Sequence, residues 1–141
     1  DLSYNLVTDL DLVSLESLGQ LRQLKLSHNK LANLPSHCWR FIPLLKGLDI
    51  SFNPIRVLTK ESFYGLHRLQ SLSVHDLPDL KRFDADSLTQ LTYLSSLHIQ
   101  SWPDIEKFKF RLGSVISGLA SLKSLTAKIL EPSHVLTDQL L

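Results

Sequence analysis

The sequence has few of the features that would support disulfide bonding, membrane insertion or nucleic-acid binding. It has one cysteine among 141 residues, so Cys38 cannot form an internal disulfide or a metal cluster, and a buried or half-buried free thiol is expected. It has no run of 18 apolar residues, so none of its segments is predicted to span a bilayer as a helix. The formal net charge is +1, which gives no electrostatic reason to expect nucleic acid or an acidic membrane as a partner.

Leucine, in contrast, is abundant and regularly spaced. The pattern LxxLxL, or a close variant of it, begins five times, at steps of 24, 24, 25 and 28 residues. The five starting residues are Leu21, Leu45, Leu69, Leu94 and Leu122. An asparagine follows the pattern in the early copies, at Asn5, Asn29 and Asn53. Self-similarity at such a period is the signature of a repeat protein.

Elementary physical chemistry predicts a stack of coils from this pattern. The alternation in LxL predicts a short strand with one buried face. One copy is too small to bury its own apolar face, so successive copies must stack, with parallel strands and a shared leucine interior. An asparagine side chain carries both donor and acceptor groups. We therefore expect it to bond the turning backbone of adjacent coils, whose polar groups would otherwise be buried unpaired.

The whole chain resembles the leucine-rich repeat family, whose pattern LxxLxLxxNxLxxLxxxxFxxL is specific. The copy length of 24 and the aromatic or leucine residue in the second half of each copy (Trp39, Phe63, Leu88) are typical of animal extracellular members. Toll-related receptors and chaoptin-like adhesion proteins belong to that subclass. The resemblance implies an α/β fold, namely a right-handed solenoid with a concave parallel sheet and a convex side that is mostly irregular or short-helical.

The resemblance also implies how the chain is divided. We expect one solenoid over residues 1–141, with repeats at about 1–20, 21–44, 45–68, 69–93, 94–121 and 122–141. Terminal coils of a solenoid need caps, and extracellular members usually cap with cysteine clusters. Because such caps are missing from this sequence, we expect either an interior piece of a longer solenoid or a solenoid whose caps lie outside the sequence. Extra residues in the fifth copy, within 108–119, predict a bulge on the convex side.

Two similar stretches replace the asparagine turn in copies four and five, VHDLPDLKRF at 74–83 and IQSWPDIEKF at 99–108. Leu77 and Trp102 stand at the asparagine position, and each is followed by Pro-Asp. Proline fixes φ and removes a donor, and aspartate can bond a turning backbone. We predict that Leu77 and Trp102 are buried and stack in register. The alternative is that the altered turns form a partner-binding edge.

The concave strand face is predicted to be polar, mixed in charge and modest in size. Such a face suits a protein partner better than a phosphate backbone, which would need a stripe of Lys and Arg. Tyr4, His28 and Phe52 form an aromatic ladder on adjacent coils, either as filler before the asparagine or as a contact patch. The candidate partner-binding residues on this face and its edge are Tyr4, Lys25, His28, Asp49, Phe52, His75, Asp76, His98, Gln100 and Trp102.

No constellation on this face points to catalysis or to metal binding. The sequence has no glycine-rich phosphate loop and no nucleophile elbow. His75 and His98 lie on neighbouring predicted strands, but a metal would need a third ligand, and none lies at a suitable spacing. The row Asp1, Lys25 and Asp49 is expected to compensate its own charge at the surface. We therefore expect no enzyme activity, no cofactor and no metal.

The leading hypothesis is a protein-recognition module in the ectodomain of a cell-surface or secreted leucine-rich repeat receptor or adhesion protein. Its partner would be a protein ligand, a co-receptor or a second copy of the chain, with no role for nucleic acid. Any membrane attachment would come from segments outside this chain. The alternative is an intracellular leucine-rich repeat scaffold or adaptor, and the absence of an N-x-S/T glycosylation site weakens the extracellular interpretation.

Overall fold

The main feature of the fold is a parallel sheet that receives one short strand from each repeat from the second onward. The computed structural model describes residues 1–10, 15–103 and 124–128. Its strands, in chain order, are β1 (Gln23–Lys25), β2 (Gly47–Asp49), β3 (Val57–Leu58), β4 (Ser71–Ser73), β5 (Arg82–Phe83), β6 (Ser96–Gln100) and β7 (Ser124–Lys128). The main sheet has the order β1-β2-β4-β6-β7, and β3 and β5 form a separate parallel pair.

Strand pairing follows the repeat spacing. Leu24 pairs with Leu48, Leu48 with Leu72, and Leu72 with Leu97, so the partners are 24, 24 and 25 residues apart. In the last pair Leu97 lies opposite Leu125, 28 residues further along the chain. The predicted fold class, an α/β leucine-rich repeat solenoid with a parallel sheet, is confirmed.

The leucines at the strand centres form a column through the core. Leu24, Leu48, Leu72 and Leu97 are all at most 5% exposed. Full burial of one such side chain contributes about 1.5–3 kcal/mol relative to leaving it in water. The flanking side chains of β1 are exposed on the opposite face, as strand alternation requires. The concave surface is therefore built from the polar positions of the repeat.

Between the strands of residues 23–100, the return side of each coil consists of turns, the short β3–β5 pair and irregular segments. One of the turns is a 3-10 turn, Ala85–Ser87, in the fourth repeat. The residues at one shared repeat position are buried on this side, namely Trp39, Phe63 and Leu88. The Trp39 indole Nε1 donates to the carbonyl oxygen of Ser62 at 2.7 Å. Within the described residues, no helix has the length and apolar character needed to cross a membrane.

Cys38 lies next to Trp39 and is a fully buried free thiol, as predicted. Burial raises the pKa of the Cys38 thiol to about 12, because the thiolate would lose its solvation, while a backbone hydrogen bond acts in the opposite direction. The thiol is therefore neutral at physiological pH, and a neutral buried thiol is a poor nucleophile.

Two predictions fall outside the described residues. These are the bulge at 108–119 and the course of most of the repeats at 94–121 and 122–141. For the last repeat the structure describes the backbone of β7, which keeps the parallel register of the sheet.

Candidate functional site

Each of five successive coils leaves the sheet through a residue with left-handed backbone. The φ angles of these residues lie between 52° and 60°. They are Tyr4, His28, Phe52, Asp76 and Ser101. This region disfavours residues with a Cβ by about 1–2 kcal/mol, so something must hold the turns. Backbone bonds between coils do so, because His28 N donates to Ser51 O and Asp76 N donates to Gln100 O.

Behind this edge, asparagine side chains bond one coil to the next. The Asn53 amide nitrogen donates to Ile50 O in its own coil and to Leu26 O in the preceding coil, at 2.9 and 3.0 Å. Its Oδ1 accepts from the backbone N–H of Leu31 at 3.1 Å. Asn29 makes the equivalent bonds one coil earlier. The predicted asparagine network is confirmed.

Leu77 and Trp102 occupy the asparagine position in the next two coils, and both are buried, with 0% and 4% exposed. The Trp102 indole Nε1 donates to Val74 O at 2.6 Å, and Val74 is the equivalent in its coil of Leu26. Trp102 therefore donates to the preceding coil as Asn53 does, and its ring packs 5.2 Å from Phe83. The predicted burial is confirmed. The Trp102 side chain has almost no accessible surface, which favours packing over the alternative of a partner-binding edge at this residue.

Five aromatic rings form a continuous ladder across the concave face. Tyr4, His28 and Phe52 stack face to face, with centroids 4.1 Å apart and interplanar angles of 9° and 13°. Phe52 then meets His75 at 87° and 5.2 Å, and His75 stacks on His98 at 4.0 Å. The ladder thus extends the predicted three-ring stack by two histidines.

Polar groups fix the histidine end of the ladder. The Nδ1 atom of His75 lies 2.7 Å from Oδ2 of Asp76, and the His75 backbone N–H donates to the Ser51 hydroxyl. His98 Nε2 lies 3.3 Å from Oε1 of Gln100. These bonds hold both imidazoles in place before any partner arrives. Four predicted site residues are brought together here.

The expected ion pairs between Lys25 and the aspartates of its row are not formed. The ion pairs within the described residues are His75–Asp76 and Arg82–Asp84, and Lys25 takes part in neither. The Asp49 carboxylate instead accepts the backbone N–H of Ser51 at 3.0 Å, and Asp1 accepts that of Ser3 at 2.9 Å. Each carboxylate thus bonds the backbone of its own coil through one oxygen, and the exposed ammonium of Lys25 is available to solvent or a partner.

An open groove of about 480 Å³ lies along the edge beside the ladder. It is lined by His28, Asn29, Lys30, Phe52, Asn53, Pro54, Asp76, Pro78 and Ser101. His28, Phe52 and Asp76 were among the predicted candidates. Lys30, Pro54 and Pro78 were missed, although each directly follows the repeat asparagine position. That fixed place in the repeat was the signal that could have found them.

The arrangement presents aromatic rings and the exposed ammonium groups of Lys25 and Lys30 to a partner. Within the part of the chain that the structure describes, no group of three or more His, Cys, Asp or Glu side chains is placed to hold a metal ion. The side chains that converge on the groove can supply stacking, hydrogen bonds and charge.

Similarity to known proteins covers most of this chain. Chicken Tsukushi is 30% identical over 125 residues, which are 89% of this chain and 32% of Tsukushi. Toll-like receptor 10 of Bos taurus is 33% identical over 86% of this chain, and Drosophila chaoptin is 32% identical over 76%. These matches span 15% of the receptor and 8% of chaoptin, so the chain corresponds to a minor part of each relative. No family model matches the chain.

Solved structures show the same fold. A chain of the Drosophila Toll–Spätzle complex superposes on 95% of this chain with a TM-score of 0.62 at 18% identity, and 14% of that chain is covered. An internalin from Listeria monocytogenes superposes on 98% with a TM-score of 0.63 at 23% identity, and 37% of it is covered. The coils, the asparagine bonds and these similarities define a leucine-rich repeat solenoid. The chain belongs to the leucine-rich repeat family.

Proposed function

We propose that this chain is a protein-recognition segment of a cell-surface or secreted leucine-rich repeat receptor or adhesion protein, and that it acts by binding and not by catalysis. Its partner is a protein ligand, a co-receptor or a second copy of the chain. The names of several relatives support the receptor class, because they include Toll-like receptors and a platelet glycoprotein. The Toll–Spätzle complex offers a precedent for a solenoid of this fold in a protein complex.

The aromatic ladder is the observation that carries the proposal. The five rings already contact one another, and the two imidazoles also lie within hydrogen-bonding distance of polar side chains. A partner that contacts them therefore orders few side chains on binding, and preorganisation of this kind favours affinity. Aromatic side chains also supply large contact area at a low entropy cost. Tyr4 is 76% exposed and Phe52 is 41% exposed, so both rings present surface to a partner. Exposed aromatic surface held in this way is typical of an interface.

The test is binding of the chain to a panel of purified secreted and cell-surface ectodomain proteins. Phe52→Asn removes a central ring and keeps a residue type that tolerates left-handed backbone. Tyr93→Asn is the matched control, because it removes an exposed ring from a turn outside the ladder and groove. We expect Phe52→Asn to weaken a specific interaction by about tenfold or more. Equal affinity of both variants for every binder would contradict the proposal.

A further inference from the structure

We propose that the groove beside the ladder binds an acidic segment of the protein partner, with a carboxylate placed between the Lys30 ammonium and the ring edges of His28 and Phe52. This inference rests on the proposed function and assigns a chemical class to the partner at the same site.

The orientation of the stacked rings favours an acidic ligand. Tyr4, His28 and Phe52 are stacked nearly parallel at 4.1 Å, so the face that each ring turns toward its neighbour is covered. The stack therefore offers ring edges to the groove, and the edge of an aromatic ring carries partial positive charge. A cation seeks a ring face, whereas a carboxylate or the face of a partner's aromatic ring fits an edge.

The charged side chains of the groove also favour an acidic ligand. Lys30 is exposed and forms no ion pair with any described residue. The other charged side chain of the groove, Asp76, is already bonded through Oδ2 to the His75 imidazole at 2.7 Å. The imidazole engages one oxygen of Asp76, whereas the Lys30 ammonium has no ion-pair partner among the described residues. Lys30 is therefore the charged group of the groove that is free to pair with a ligand, and a carboxylate is the group that pairs with it.

The groove also has an apolar lining, which favours an apolar or aromatic group in the ligand. Pro54 and Pro78 line the groove from successive coils and add surface without a backbone N–H. A carboxylate alone would leave this surface in contact with water. The segment that fits therefore carries an apolar or aromatic side chain next to its acidic residue, and a volume of about 480 Å³ accommodates such a pair.

The test uses two short synthetic peptides and two charge variants of the chain. One fluorescent peptide alternates glutamate with tyrosine, and its matched peptide has lysine in place of glutamate. Lys30→Glu reverses the charge in the groove, and Lys60→Glu makes the same change at an exposed site that does not line it. Anisotropy titrations at low and high salt give the affinities, and circular dichroism confirms that each variant is folded.

We expect the glutamate peptide to bind more tightly than the lysine peptide and to weaken with salt. Lys30→Glu should lower its affinity about fivefold or more, Lys30→Gln should lower it less, and Lys60→Glu should change it less than about twofold. Tighter binding of the lysine peptide, or equal effects of Lys30→Glu and Lys60→Glu, would overturn the inference. If Phe52→Asn still abolishes binding of an ectodomain protein in that case, the proposed function survives without it.

Discussion

The coils that carry Asn29 and Asn53 differ from the coils that carry Leu77 and Trp102 in the chemistry that joins them. In the first pair, a small amide bonds backbone groups of its own and the preceding coil. In the second pair, Leu77 fills space, and the Trp102 indole N–H reaches the preceding coil at Val74 O. The left-handed turn before this position is nevertheless the same in both. The turn therefore depends on backbone bonds between coils, and the following side chain fills the interior and supplies a donor.

The concave surface changes at the same junction. Before it, the left-handed positions carry the rings of Tyr4, His28 and Phe52, and after it they carry Asp76 and Ser101. The ring ladder does not end there, because His75 and His98 continue it from other columns of the face. The groove has lining residues from both sides of the junction. The residue at the asparagine position and the surface available to a partner therefore change at the same coils.

The largest expected effect comes from removing the side chain of Trp102. Trp102→Ala should lower the free energy of unfolding by about 3–5 kcal/mol, because it creates a cavity and leaves Val74 O without the indole donor. Urea denaturation measures this change. Tyr93→Ala, at an exposed ring, serves as the control and should change stability by at most about 0.5 kcal/mol. A loss below about 1 kcal/mol for Trp102→Ala would mean that the indole is not part of the core.

The next effect tests whether the two kinds of coil are interchangeable. Asn53→Leu copies the side chain of the fourth repeat into the third and should lower the free energy of unfolding by about 2–3 kcal/mol, because the buried N–H of Leu31 loses its acceptor. Asn5→Leu is the matched control. Asn5 is exposed and bonds within its own coil, so its replacement should lower stability by less than about 1 kcal/mol. Equal losses at the two sites would argue against a special role for the bonds between coils.

Trp102→Phe isolates the indole hydrogen bond from the packing of the ring. We expect a loss of about 1–2 kcal/mol, smaller than that of Trp102→Ala, because the aromatic ring is kept and the N–H donor is removed. Hydrogen exchange of the indole N–H, followed by NMR, checks the same bond without a mutation. Both tryptophans should show slow exchange, since Trp39 also donates to a carbonyl. Fast exchange at Trp102 alone would show that its bond does not form.

The smallest effect is a pH dependence from Cys38. Its pKa is raised from 9.0 to about 12 in the folded chain, so the unfolded chain loses this proton first as the pH rises. The stabilisation is complete below pH 9.0 and is lost as the pH approaches about 12. Between pH 8 and pH 10 the contribution should fall by about 1 kcal/mol, a slope that Cys38→Ala removes from urea-denaturation data. An unchanged slope in Cys38→Ala would assign the alkaline effect to other groups.

Much of the fold could be predicted from the sequence, because periodicity determines which side chains face the interior. The steps of 24, 24, 25 and 28 between leucines give the strand register, and the burial of Leu77 follows from its place in the repeat. The buried leucine column can be predicted without knowing exact distances between atoms. A repeat pattern averages over many weak preferences and is therefore a strong signal.

The site was less predictable, because it depends on individual distances. Lys25 was expected to face a compensating aspartate, but Asp49 bonds the nearby backbone of Ser51, a competition that a charge pattern does not reveal. The role of Trp102 depends on one carbonyl in the preceding coil. The perpendicular contact between Phe52 and His75 likewise comes from side-chain directions that repeat alignment does not contain.

An NMR titration tests whether the face at the junction of the two kinds of coil is the binding surface. The isotope-labelled chain would be titrated with the tightest binder from the ectodomain panel, and amide shifts would be mapped on the structure. We predict that the largest changes occur at His28, Phe52, Asp76 and Ser101. Little change is expected at Tyr93 or at Tyr64, which follows Phe63 in a turn on the return side of the third repeat and does not line the groove. Largest changes at Tyr64 and Tyr93, with the groove residues unaffected, would contradict the account.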